Sequence, residues 1–189
     1  MKYAQTFNLR CHSKLKEYFT RKTAEFSGER YHVCELTNIP QEITDMFRDE
    51  MTERGLPDTV GWLMFKKRGL PEEHPDRTHV DSPDNTRHVS IVIPIEGCED
   101  THMYWCDGDY RFEHTILDDD QYVSYSIPIW DDVSKVNVLH REKITTPTIC
   151  RVDIPHDTVT RADDSYRVVV TTRFVGDPSF EEVCEKLSN

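Results

Sequence analysis

His88-Val89-Ser90-Ile91-Val92-Ile93-Pro94-Ile95 is where the fold declares itself. Val89, Ile91, Ile93 and Ile95 alternate with His88, Ser90, Val92 and Pro94, the period of two that buries one face of a strand. Further stretches of this kind follow. Thr101 to Cys106 reads as a strand ended by the turn signal Asp107-Gly108-Asp109. Tyr122 to Trp130 and Val133 to Leu139 add one or two more, and Thr148 to Ile154 alternates around Ile149, Arg151 and Asp153. Tyr166 to Phe174 is the strongest strand signal in the chain, with Val168, Val169 and Val170 at its centre. The chain closes on an expected helix, with Asp177 as N-cap and Pro178 at the first position. Phe180, Val183, Cys184 and Leu187 form its apolar stripe.

Upstream the pattern is weaker. The first forty residues carry no clear period apart from a short strand expected near Tyr31 to Leu36. Between Pro40 and Arg54 the residues Ile43, Met46, Phe47 and Met51 fall near a helical stripe, with Pro40 suited to a first turn and Gly55 and Pro57 to a stop. Trp62-Leu63-Met64-Phe65 is a short apolar run that meets the charged Lys66-Lys67-Arg68. Seven or eight short strands between an N-terminal and a C-terminal helix predict a mainly β chain. The expectation is a two-sheet sandwich or jelly roll with the helices packed outside, as a single domain over 1–189.

At 189 residues the chain is long enough for one domain with a real core. Its net charge of −12 argues against a nucleic-acid backbone as partner, because phosphate binding needs clustered Lys and Arg. Met1-Lys2-Tyr3-Ala4-Gln5-Thr6 lacks the apolar core of a signal peptide, and no apolar run reaches membrane-spanning length. The six cysteines form no C-x-x-C pair and read as reduced thiols of a cytoplasmic protein. Only seven glycines are present, and no P-loop, Rossmann or G-x-S-x-G pattern appears.

The chemistry-bearing residues are histidines and carboxylates. His-x-Asp/Glu occurs as His74-Pro75-Asp76, His79-Val80-Asp81 and His140-Arg141-Glu142. Pro75 makes the first a loop dipeptide, and it reads as polar surface, as does His140 with Glu142. In an extended segment residues two apart share a face, so His79 and Asp81 can share a ligand. A second histidine, His156, stands 75 residues after Asp81, and Arg167 lies eleven beyond it. Two histidines and one carboxylate on one face of a metal, with the other positions open, is how non-haem iron(II) oxygenases hold iron. Tyr104 and Trp105 read as core, Cys98 as a buried thiol, and Asp118-Asp119-Asp120 as a solvated turn rather than a calcium loop. His102 also reads as structural. His156-Asp157 is discounted as an acid–base pair because adjacent strand residues point oppositely.

The span from His79 to Phe174 resembles the double-stranded β-helix core of iron(II)- and 2-oxoglutarate-dependent oxygenases. It is most similar to the short aspartyl/asparaginyl-hydroxylase-like members of bacteria and bacteriophages. The matching pieces are Thr78-His79-Val80-Asp81-Ser82, Ser90-Ile91-Val92-Ile93-Pro94-Ile95-Glu96-Gly97-Cys98, Ile154-Pro155-His156 and Ser165-Tyr166-Arg167-Val168-Val169-Val170. The resemblance implies that His79, Asp81 and His156 ligate Fe(II) and that Arg167 binds the distal carboxylate of 2-oxoglutarate. It also implies hydroxylation of a small molecule or an amino-acid side chain in a peptide, not duplex nucleic acid, with succinate and carbon dioxide as coproducts. One departure stands out. Such enzymes often carry Ser or Thr two residues after the arginine, and here that residue is Val169. The rival readings are a metal cupin that does not use 2-oxoglutarate and a non-catalytic jelly-roll module.

Overall fold

The strand signal around Ile91 becomes the middle of the main sheet. The computed structural model describes residues 1–24, 31–35, 39–68, 72–81, 87–116, 124–160 and 166–188. In chain order the elements are β1 (Ala4–Thr6), α1 (His12–Thr23), β2 (Tyr31–Glu35), α2 (Gln41–Glu53), β3 (Thr59–Arg68) and β4 (Val89–Glu96). There follow β5 (His102–Asp107), β6 (Tyr110–Ile116), β7 (Ser124–Trp130), β8 (Asn137–Glu142), β9 (Thr148–Arg151), β10 (His156–Val159), β11 (Tyr166–Phe174) and α3 (Phe180–Ser188).

Six strands form one antiparallel sheet in the order β1-β9-β4-β11-β3-β2. The strands β10-β5-β8 form a second sheet, and β6 pairs with β7. Two isolated bridges, His79 with His156 and Val80 with Ser126, insert the short 79–80 segment between β10 and β7. They join the two smaller sheets into one curved layer. Val92, Cys150 and Val169 of the six-stranded sheet share a buried cluster with Met103 and Trp105 of the opposite layer, so the two layers face each other. The chain is a mainly β jelly-roll sandwich of the cupin type, as its alternating strands predict.

The alternation in β4 settles which face goes where. Ile91, Ile93 and Ile95 lie in the outer cluster with Leu15 and Phe19 of α1, Phe47 and Met51 of α2, and Phe180 and Val183 of α3. Their neighbours on β11 are Val168 and Val170, while Arg167 and Val169 take the opposite parity and turn inward. Thus the helices cover the back of the sheet and leave its inner face to the sandwich.

Several expectations need correction. The unreadable N-terminal segment holds β1 and α1, so two helices precede the main strands. No side chain of its own caps α1. Instead Glu50 of α2, 3% exposed, accepts from the backbone N–H groups of Arg10 and Cys11 and from Arg54. Strand β6 follows the Asp107-Gly108-Asp109 turn, where no strand is evident from the sequence. Val133–Lys135 is a single 3-10 turn and the strand after it starts at Asn137, while β9 stops at Arg151 rather than Ile154. Strand β3 does not end at its apolar run but continues through Lys66 and Lys67, because Lys66 lays its ammonium over the Tyr166 ring and Lys67 finds Asp157. At α3 the cap is Ser179, not Asp177. Ser179 Oγ meets the Glu182 N–H while Glu182 accepts from the Ser179 N–H, a reciprocal capping box that places Pro178 ahead of the helix. The Asp118-Asp119-Asp120 run, Leu36 and Tyr122 lie outside the described residues. Cys11, Cys98, Cys106, Cys150 and Cys184 are free thiols. Among the described residues no helix is long and apolar enough to cross a membrane.

Candidate metal centre

Three backbone segments build the site. His79 is bridged to His156 by a reciprocal pair of backbone hydrogen bonds, each 3.0 Å, and Val80 is bridged to Ser126 at 2.9 and 3.0 Å. The Asp81 N–H donates to Val152 O at 3.2 Å, and Arg87 donates to Asp81 O at 3.0 Å. Held extended in this way, His79 and Asp81 project to one side and Val80 to the other, where it is fully buried.

The result is convergence. Ligand atoms of His79, Asp81 and His156 lie within 4.8 Å of one another, and no other such group of three occurs among the described residues. His79 Nε2 is 3.5 Å and His156 Nε2 3.4 Å from the same Asp81 oxygen, Oδ1. The two imidazole rings are 4.6 Å apart, tilted by 47°. His156 is 4% exposed, while about a third of the Asp81 side chain stays open, leaving one side of the cluster approachable.

The hydrogen-bond partner of His156 fixes its chemistry. Its Nδ1 lies 2.8 Å from Ile154 O, which can only accept, so Nδ1 carries a hydrogen and, whenever the ring is neutral, Nε2 holds the lone pair. That lone pair faces a carboxylate oxygen. Two electron-rich atoms at this distance need a cation between them, either a proton or a metal ion. Burial alone would raise the Asp81 carboxyl and lower His156. The hydrogen bond and charge interaction between the two outweigh it, aided on Asp81 by His79 and on His156 by the Ile154 carbonyl. Asp81 is therefore held well below the ordinary carboxylate range. Two neutral imidazoles and one carboxylate with an open side fit a first-row divalent ion.

Arg167 is the fourth expected residue. It is 6% exposed, and among the described residues no carboxylate pairs with it and its buried Nε has no hydrogen-bond partner. Burial lowers its affinity for the proton, partly offset by Cys98, Cys150 and Asp157. Arg167 shares the parity of Val169 on β11, and Val169 packs with Cys150 in the inner cluster, so the guanidinium leaves the sheet on the face that looks toward the opposite layer. Val169, where a hydroxyl is expected, is packed into the apolar cluster with Trp105.

Other residues fall where their chemistry sends them. His74 pairs with Asp76 at the surface, and His140 with Glu142, its ring stacked on Tyr3. His102 donates toward Glu73, which also receives a two-pronged contact from Arg141. Tyr104 and Trp105 are buried and hydrogen-bond to backbone carbonyls of His74 and Arg151. Cys98 is a buried thiol bonded to the Val168 carbonyl. His156 and Asp157 part company, His156 to Asp81 and Asp157 to Lys67. The Ile154 carbonyl and the Lys67–Asp157 pair are absent from any reading of the sequence. A main-chain acceptor leaves no side-chain trace. Lys67 sits in a charged run whose one hint of burial is the period of two.

No protein-family model matches this sequence, and no curated protein matches it. Among solved structures it is similar to ycfD from E. coli, at 15% identity and a TM-score of 0.43, over 84% of this chain but 37% of that one. It is also similar to AviO1 from Streptomyces viridochromogenes Tue57, at 12% identity and a TM-score of 0.39, over 93% of this chain and 91% of that one. Both likenesses are too distant for an activity to follow from them.

Proposed function

We propose that this chain is an Fe(II)- and 2-oxoglutarate-dependent dioxygenase that hydroxylates a small molecule or an amino-acid side chain. One observation carries the reading. A two-histidine, one-carboxylate cluster and a buried arginine with no carboxylate partner among the described residues share the inner face of a jelly roll. His79, Asp81 and His156 would hold the iron. Arg167 would bind the distal carboxylate of 2-oxoglutarate, with its buried Nε–H, which has no partner among the described residues, as one donor of the fork. Bound iron supplies the redox chemistry by which substrate, dioxygen and 2-oxoglutarate become hydroxylated substrate, succinate and carbon dioxide.

The protein's part in this scheme is positional. The Ile154 carbonyl keeps the His156 proton on Nδ1 and its lone pair on the metal side. The carboxylate of Asp81 would offset one of the ion's two positive charges, and His156 and His79 hold its pKa down against the effect of burial. Trp105 and Val169 keep the inner wall apolar, which limits water near the reacting groups. Under air with Fe(II) and 2-oxoglutarate, the protein is expected to form succinate and carbon dioxide in equal amounts. Asp81→Ala should abolish both. A wild-type rate no higher than that of Asp81→Ala overturns the proposal.

A further inference from the structure

The inner face of the six-stranded sheet buries a second cation beside Arg167. Arg167 and Lys67 are direct partners in the β11–β3 ladder, so their side chains leave the sheet together, with Cβ atoms about 5 Å apart. Like charges in opposed positions destabilise a sheet, and more strongly away from water. The Lys67 side chain is 14% exposed and Arg167 6%. Lys67 Nζ donates to Asp157, its one polar partner among the described residues, whereas Arg167 has none. Among the described residues one carboxylate pairs with these two cations, which leaves a positive charge unbalanced.

We propose that Lys67 is a second anchor for the distal carboxylate of the 2-oxo acid: Arg167 and Lys67 grip it together, and Asp157 holds the Lys67 ammonium in position. The inference rests on the functional reading above and deepens it. Val169 cannot supply the hydroxyl expected beside the arginine, yet a lysine stands directly across the ladder from that arginine. An ammonium has three donors, and Asp157 accepts from one, which leaves two for an incoming anion. Charge balance points the same way. With a divalent metal on the triad, Arg167 and Lys67 against Asp81 and Asp157 leave two positive charges, which a dianion cancels and a monoanion does not. Lys67 is thus a residue that selects a 2-oxo dicarboxylate over a 2-oxo monocarboxylate.

The test is calorimetric binding to the Mn(II)-loaded protein, which needs no turnover. The probes are 2-oxoglutarate and 2-oxopentanoate, the latter carrying a methyl group where the distal carboxylate would be. Lys67→Met strands Asp157 without a partner, so Lys67→Met/Asp157→Asn is measured beside it, removing both charges together. Both variants should bind 2-oxoglutarate at least tenfold more weakly and 2-oxopentanoate within twofold of wild type. Equal losses for the two probes would mean a structural role and overturn the inference. If Arg167→Met loses 2-oxoglutarate binding while the Lys67 variants stay within twofold of wild type, the lysine's role falls and the functional reading stands. If the wild type does not prefer 2-oxoglutarate at all, both fall.

Discussion

Glu50 shows how much one side chain can hold. It is a buried carboxylate that accepts from two backbone N–H groups ahead of α1 and from Arg54. Burial alone would raise its pKa, but the Arg10 amide, Arg54 and the Cys11 amide more than offset that, so the folded protein keeps it depressed. A depressed carboxylate stabilises the fold above its unfolded pKa, and that contribution disappears as pH falls through the folded value. Glu50→Gln is therefore expected to cost about 2 kcal/mol in urea titrations near neutrality. The gap to wild type should close as the solution is acidified below the glutamate range, and a gap that is constant with pH would contradict this. At the same scale, His79 and Asp81 are legible in the sequence because two residues apart in an extended segment share a face, and His156 joins them through the resemblance to iron(II) oxygenases. Lys67 is not legible. Its inward turn depends on registers with β2 and β11 that no local pattern records.

Among the elements, the alternating strands β4 and β11 and the stripe of α2 were readable because burial of one face imposes its period on the sequence. The capping of α1 from α2 was not, since its acceptor lies some forty residues away from the amides it serves. Strand β6 is hard to read because His114 interrupts the apolar alternation of Tyr110, Phe112 and Ile116, so the pattern runs for only four residues after the turn. The α3 start was misplaced by two residues because Asp177 and Ser179 are both good caps, and only Ser179 has Glu182 three residues on. Ser179→Ala should cost about 1 kcal/mol, or about 3 °C in melting temperature for a chain of this length. Gly97, at the end of β4, has φ +63, and a Cβ there would sit 1.7 Å from the Tyr166 carbonyl oxygen. Gly97→Ala should cost more than about 2 kcal/mol and distort the turn against which Tyr166 and Arg167 lie. A melting temperature unchanged from wild type would show that this close approach is not required.

Across the whole molecule, the metal centre is also a structural clip. Its ligands come from the 79–81 segment, which bridges β10 and β7, and from β10 itself. An ion that binds only the assembled site adds stability by mass action, about 2.7 kcal/mol at a hundredfold excess over its Kd. Divalent metal should raise the melting temperature of the wild type and a chelator should reverse the rise, while His156→Ala should show neither. The two-sheet architecture is legible from the alternating strands, although their number is not, since β1, β6, β10 and α1 lack a readable period; the joining of the smaller sheets through residues 79–80 is not legible either. Two residues are too few to carry a period.

The most direct measurement is an anaerobic titration of the protein with Fe(II) and then 2-oxoglutarate, followed in the visible range. A saturable metal-to-ligand charge-transfer band that vanishes in His156→Ala and needs at least tenfold more 2-oxoglutarate in Arg167→Met is the predicted result, because chelation at the iron gives the band and the distal anchor sets the affinity. Iron binding with no such band at any concentration of 2-oxoglutarate would contradict the account.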